Sequence, residues 1–383
     1  MKFSRFLVVS LWDWRSHRKG LATILGVLGI MAALPLAAQN VSSNRCVPDH
    51  DLSFVCGADH PEDLARIPGT PWLITSGFAP GAGLKLIDMR TRSMRTWFTG
   101  DATQIQRDTR RYPDCAAPPP MSLFNARGIN LRQRQSGPSR LLVVNHGGRE
   151  SVEVFDVLSG ARAVPRLVWK GCMLLPPGHV GNAVAGYRDG TVLVSVLTRP
   201  GTTITDFEHG LATGGIYERA VGAAEFRLIP GTELPGNNGL ETARDDRGFY
   251  TVAFGWRAIA LFQRGAQTGP YAVVRAPGFM PDNVHWDGHR LLTAGMVSDE
   301  PACGGTRKII DGVADKMLCP RGWRVAELDV GRQRFKLVDQ GNRSPFFNGV
   351  SAAVLGKGFL WLGSYQADRL AYLRQNVRAM GAE

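Results

Sequence analysis

One short pattern returns six times along this 383-residue chain, and it limits the fold more than any other feature. Each unit opens on a polar residue, continues as a strand, turns at a glycine-bearing pair and runs back as a second strand. The units begin at Asp63 (DLARIPGTPWLITSG), Arg127 (RGINLRQ, then RLLVVNH), Asn182 (NAVAGYRDGTVLVS), Asn238 (NGLETARDDRGFYTVAF), Asn283 (before Arg290-Leu291-Leu292-Thr293) and Asn348 (NGVSAAVLGKGFLWLGS). Their spacing drifts between 45 and 65 residues. A strand-rich unit at such a period is the mark of propeller blades. The 45 glycines and 23 prolines favour turns over long helices. The reading is therefore all-β, a six-bladed propeller of four-stranded antiparallel blades.

If every blade begins at the axis, its leading side chain enters one central channel. Four of these positions carry oxygen: Glu62 with Asp63, Asn182, Asn238, and Asp282 with Asn283. Carboxylate and amide oxygens brought from distant parts of a chain suit a hard cation, Ca2+ above all. The competing reading is that Asn-Gly and Asp-Gly only mark tight turns.

The net charge is +12, of which Lys2, Arg5, Arg15, Arg18 and Lys19 against Asp13 place +4 in the N-terminal segment. No dense Lys/Arg run with interleaved aromatics occurs, so nucleic acid is not an expected partner. A small-molecule substrate, anionic by the charge balance, is. Residues 1–40 have the basic, apolar and small-residue order of an export signal, the apolar run being Leu21 to Ala38. That run also has nearly the length of an uncleaved membrane anchor, which would be the chain's only link to a membrane. Either way residues 41–383 are the propeller domain, periplasmic or secreted. Six cysteines agree with an oxidising compartment. Local spacing suggests Cys46 with Cys56 and Cys303 with Cys319 around an Asp311-Gly312 tip, leaving Cys115 with Cys172.

The stretch from Phe124 to Val157 (FNARGINLRQRQSGPSRLLVVNHGGRESVEVFDV) resembles the paraoxonase, or arylesterase, family of six-bladed calcium propellers, as do GADHPEDLARIPGTPWLITSG, HVGNAVAG, GNNGLETARDDRG and MPDNVHWDG. The wider gluconolactonase and phosphotriesterase propellers share its metal arrangement. The resemblance implies one catalytic Ca2+ held by Glu62, Asn182, Asn238, Asp282 and Asn283. It also implies a second, structural calcium site at Asp63 and Ile129, weakened here because Ala183 stands where the family has a carboxylate. The family's His-Gly-Ile motif is Arg127-Gly128-Ile129, with His146 as the surviving partner histidine. A guanidinium does not give up its proton and cannot be a general base.

Asp282 is then the first candidate for the attacking or proton-accepting group, with His146 and Glu62 after it. Arg127 either clamps an anionic substrate or pairs with Glu62 or Asp63. The segment from Leu197 to Tyr217 is expected as a lid carrying Phe207 and His209, or as a surface excursion. Trp256, Trp286 and Trp361 read as packing residues. Two functions follow: a calcium-dependent hydrolase of lactones, esters or phosphotriesters, and a noncatalytic calcium-stabilised propeller that binds a partner or small anionic ligand.

Overall fold

In the computed structural model, residues 46–134, 136–160 and 163–375 are described; the expected export signal or membrane anchor, residues 1–40, lies outside them. The six repeats fold as six four-stranded antiparallel sheets. Their innermost strands are Leu64–Arg66, Ala126–Arg132, Val180–Gly186, Asn237–Thr242, Phe279–Asp287 and Val350–Gly356, blades 1 to 6 in that order. Blades 1 to 5 use four consecutive strands, interrupted in blade 5 by a small hairpin. Blade 6 takes its outer strand from the other end of the chain, Ser53–Cys56 pairing with Arg369–Arg374. That exchange ties the first and last blades together.

The cores lie between blades. Trp169 is fully buried among Phe98, Phe124 and Phe155, where blade 1 meets blade 2. Trp361 is fully buried against Tyr372 within blade 6. Trp286 donates its indole N–H to the Thr242 carbonyl, as a packed tryptophan with a polar edge does. Two-residue turns join strands where both residues can take positive φ, as at Lys357-Gly358 (φ 55° and 79°) and Asp311-Gly312 (φ 50° and 76°).

Five of the six inner strands carry a break in register at corresponding places: Ala126/Ile129, Gly181/Val184, Asn237/Leu240, Pro281/Val284 and Val350/Ala352. Each bulge contains the residues that open the repeat, which is how a strand re-aims a side chain out of its sheet face. Two corrections to the sequence reading follow. The sixth leading position is Ser351, whose hydroxyl donates to the Glu62 carbonyl at 2.6 Å. Asn348 belongs to a turn above, where it donates to Met317 and Gln366 and accepts from the Arg321 N–H.

The inner strands approach so closely at these bulges that side chains are excluded. A Cβ on Gly239 would lie 2.3 Å from the Asp282 carbonyl oxygen and 2.8 Å from Asn283 Cα, both backbone atoms. Gly239→Ala should therefore cost about 1–3 kcal/mol by overpacking, with nothing flexible to yield. Urea denaturation of the two proteins measures it, and a midpoint unchanged by the methyl would mean that the inner ring is looser than this.

Three disulfides join Cys46 to Cys56, Cys115 to Cys172 and Cys303 to Cys319. They fit an oxidising compartment. The second fastens the connection between blades 1 and 2 to an outer strand, and the third closes the blade 5 insertion around the Ile309–Ile310 and Val313–Ala314 hairpin. Among the described residues no helix is long and apolar enough to cross a membrane.

Candidate metal centre

Bulges carry Asn182, Asn238, Asp282 and Asn283 at the start of their inner strands, and Glu62 precedes the inner strand of blade 1 at the same end. Glu62, Asn182, Asn238, Asp282 and Asn283 are 2%, 5%, 6%, 6% and 1% exposed. Asn283 comes from blade 5, and its amide nitrogen donates to Glu62 Oε1 of blade 1 at 3.1 Å. Asn238 of blade 4 hydrogen-bonds the Asp282 carboxylate of blade 5. Ser195 links blade 3 to blade 4, accepting from the Ala183 N–H and donating to the Asn238 carbonyl. Gly128 of blade 2 packs on the backbone of Asn182 and Ala183.

In this arrangement the amide nitrogens of Asn238 and Asn283 face carboxylates. Their oxygens do not find donors. Glu62 Oε2, Asn182 Oδ1, Asn238 Oδ1 and Asn283 Oδ1 are all buried without a hydrogen-bond partner. Leaving one buried polar atom unsatisfied costs about 1–3 kcal/mol, and four such atoms fall at the expected ligand positions. A single hard cation meeting all four would satisfy them at once, and Ca2+ takes such mixed carboxylate and amide oxygen sets. The residues present fit that ion. Among the described residues no group of three or more His, Cys, Asp or Glu is placed to hold a metal; the expected set has two carboxylates and three amides.

Electrostatics agree. Burial, then the charges of Asp63 and Asp282, push the Glu62 carboxyl well above the ordinary range. Burial and Asp63 push Asp282 up to about 8, against the Asn238 hydrogen bond. These carboxylates need a cation to be comfortable in their ionised form.

Below them the channel is filled by ion pairs. Strand alternation puts Asn283, His285 and Asp287 on one face of the blade 5 inner strand. His285 Nε2 lies 2.8 and 3.0 Å from the two Asp63 oxygens, and its Nδ1 lies 3.6 Å from Glu241 Oε2. Asp63 also accepts the N–H groups of Leu64 and Ile129, at 2.8 Å each. Thus the expected second-site residues Asp63 and Ile129 do meet, through the Ile129 N–H, and an imidazole stands beside them. Glu241 further accepts from Asn130 and Thr242. Deeper, Arg132 pairs with Asp246, and Asp287 accepts from Arg66 and the Leu355 N–H.

At the mouth the loops between the second and third strands of every blade gather, because each inner strand pairs its start with the end of its neighbour. Arg127 stands here with its guanidinium carbon 3.6 Å from the Phe78 ring centroid. It forms no ion pair with Glu62, Asp63 or any other described carboxylate. Burial lowers its pKa to about 10, which leaves it charged at neutral pH. His146 lies nearby with Nδ1 2.6 Å from Glu150 and a buried, unpartnered Nε2. Burial, helped by the charge of Arg127, lowers its pKa in spite of Glu150 and the Gly181 backbone.

The segment Leu197 to Tyr217 leaves at this same end. It forms the short helix Ile204–Glu208, started by a Thr203–Asp206 capping box. Phe207 is its anchor, buried against Phe254, whereas His209 is exposed at the helix end. The helix is pinned to the disulfide insertion of blade 5 by Arg307–Glu208 and by the Ala314 N–H donating to Thr205.

Fold and channel together define a six-bladed propeller with an oxygen-lined polar axis. No protein-family model matches the chain, and no curated protein matches it by sequence. Among solved structures the chain is similar to a luciferin-regenerating enzyme, at 12% identity over 84% of this chain and 93% of that one, with a TM-score of 0.50. It is also similar to the calcium-binding protein regucalcin of Agrobacterium tumefaciens, at 11% identity over 84% and 92%, with a TM-score of 0.47. At such identities the likeness is one of fold.

Proposed function

We propose that the channel binds one Ca2+ through Glu62, Asn182, Asn238, Asp282 and Asn283, and that the protein hydrolyses a small lactone or ester, with phosphotriesters as the other substrate class the site suits. The four buried oxygens without donors carry the reading. The paraoxonase-like motifs around the same residues support it. Bound there, the ion would polarise a carbonyl or phosphoryl oxygen and stabilise the charge that develops on it.

The chain's own groups divide the rest of the work. Asp282 is oriented by the Asn238 amide and raised to about 8 by burial. It is the group we assign to attack or to proton abstraction from water. Glu62 is fixed by Asn283 and holds its second oxygen free. Arg127 keeps its proton and acts on charge alone. His146, whose pKa burial lowers, is the second proton acceptor, set back beside Arg127.

A panel of lactones and aryl esters, run with calcium and with chelator, tests this. Asp282→Ala should lower chelator-sensitive turnover by about 100-fold or more. Arg127 in place of a family histidine favours a second reading, a noncatalytic propeller stiffened by calcium. Under it, chelator would lower the melting temperature while no substrate in the panel is consumed.

A further inference from the structure

We propose that the channel mouth holds an oxyanion subsite centred on Arg127, so that the bound molecule carries a carboxylate or phosphate beside the bond to be cleaved. The inference deepens the reading of the channel as a ligand site and rests on it.

Several buried and half-buried arginines elsewhere in this protein are supplied with acceptors. Arg140 meets Asp156, Arg219 meets Asp114 and Arg307 meets Glu208. Arg321 donates to the Val297 and Ser298 carbonyls. Arg127 differs from these: its Nε is buried without a partner, as are those of Arg66, Arg199 and Arg321, but unlike them it makes no side-chain hydrogen bond, and no described carboxylate is within ion-pair distance.

The charges of Glu62 and Glu150 act on it from beyond ion-pair distance, but neither accepts a hydrogen bond from it. Both Glu150 oxygens lie 2.6 Å from His146 Nδ1. Glu62 Oε1 accepts from Asn283. An arginine held largely out of water with no acceptor is costly, and the chain keeps it. Phe78 occupies one face of the guanidinium through a cation–π contact, which leaves the edge, where all five donors point, for a flat two-oxygen acceptor.

Its position fits a ligand lying over the ring. Gly128, the next residue, is so close to blade 3 that a Cβ there would come within 2.6 Å of the Asn182 carbonyl oxygen. Arg127 therefore belongs to the same circle of bulge residues as Asn182 and Asn238. Beside it His146, with a side chain 7% exposed, has its own buried and unpartnered Nε2, a second polar atom waiting at the same place.

The test is calorimetric titration of calcium-equilibrated protein with phenylacetate, with methylphosphonate as the phosphorus oxyanion and phenylacetamide as the neutral control. Wild type should bind one or both oxyanions more tightly than the amide, and which one binds tells carboxylate from phosphate recognition. Arg127→Gln should weaken oxyanion binding about tenfold or more, the worth of a charge-assisted hydrogen bond, and leave the amide unchanged. Arg127→Lys should restore part of it. Arg127→Gln gives up the Phe78 contact and the attraction of Glu62 and Glu150, so circular dichroism of the variant accompanies the titration to show that it is folded.

Equal affinity of wild type and Arg127→Gln for both oxyanions, or no binding of either, would overturn the subsite. If calcium raises the melting temperature and the ester panel is turned over while the oxyanions ignore Arg127, the subsite fails and the metal reading stands. If calcium does nothing and phenylacetate still binds through Arg127, the reverse holds.

Discussion

Replacing His285 with leucine should lower the unfolding free energy by about 3–5 kcal/mol, the cost of removing one member of a buried ion pair. The imidazole lies between Asp63, which is 0% exposed, and Glu241, at 4%. Burial alone would lower its pKa. The charge and hydrogen bond of Asp63, followed by those of Glu241, overcome this and raise it to about 10. The raised value gives the pH window its sign. A group whose folded pKa lies above its unfolded value, about 6.5 for histidine, contributes stability that is complete below that value and lost as pH rises through the folded one. The difference in urea midpoint between wild type and His285→Leu should therefore be largest near pH 6 and shrink toward pH 10. Glu241 sets the lower side: burial would raise its pKa, but the hydrogen bond and charge of His285, with Arg132 and the Thr242 N–H, together hold it below the usual value. Its contribution is lost as pH falls through that lowered pKa. Equal midpoints for the two proteins at pH 6 would show that the pair does not hold the inner strands together. Measuring at saturating calcium keeps the titration of Glu62 and Asp282 out of the comparison.

The propeller was legible because its repeat is written in local chemistry. A glycine turn between two apolar runs can be seen one residue at a time, and six of them close only one way. The Cys303 to Cys319 pairing was legible for the same reason, since the Asp311-Gly312 turn between them already brings the strands together. What escaped was whatever depends on register. Asn348-Gly349 looks like the other leading positions. Yet Gly349 has φ 71° and the pair is an ordinary turn, whereas the bulge in that strand carries Ser351. A bulge adds one residue without leaving a composition signal, so the sixth position was displaced by three. His285 could have been found. Once Asn283 faces the axis, period-two alternation puts the residue two further along on the same face, and a histidine there needs a carboxylate. The surroundings of Arg127 were not available in the sequence. Whether a guanidinium finds Glu62 or a phenyl ring is decided by how the loop between the second and third strands of blade 1 lies, and Phe78 is on that loop.

Calcium should raise the melting temperature of the full protein, and the gap between the calcium-loaded and chelated forms should widen as pH rises from about 5 to about 8. The two carboxylates of the set, Glu62 and Asp282, carry the argument. Burial is the first cause of the raised pKa in each, and neighbouring acids add to it. In the metal-free protein they are poorly tolerated as anions. A carboxylate whose folded pKa exceeds its unfolded value supports the fold below the unfolded value, about 4, and withdraws that support as pH climbs through the folded one. Chelated protein should thus weaken steadily up to pH 8, the value to which Asp282 is raised. With calcium present the same ionisation creates the first shell, and two negative charges with three amide oxygens neutralise the ion. Binding at 100 times the dissociation constant stabilises by about 2.7 kcal/mol, so the gap is several degrees wide at saturation. Because the metal displaces protons, titration calorimetry in two buffers of different ionisation enthalpy should find about one to two protons released per calcium at pH 7. Asp282→Ala should remove most of both effects, since it deletes one of the two charges. A melting temperature indifferent to calcium from pH 5 to 9, with no proton release, would mean that the unpaired oxygens of Glu62, Asn182, Asn238 and Asn283 face water, and that the ring is held by its turns alone.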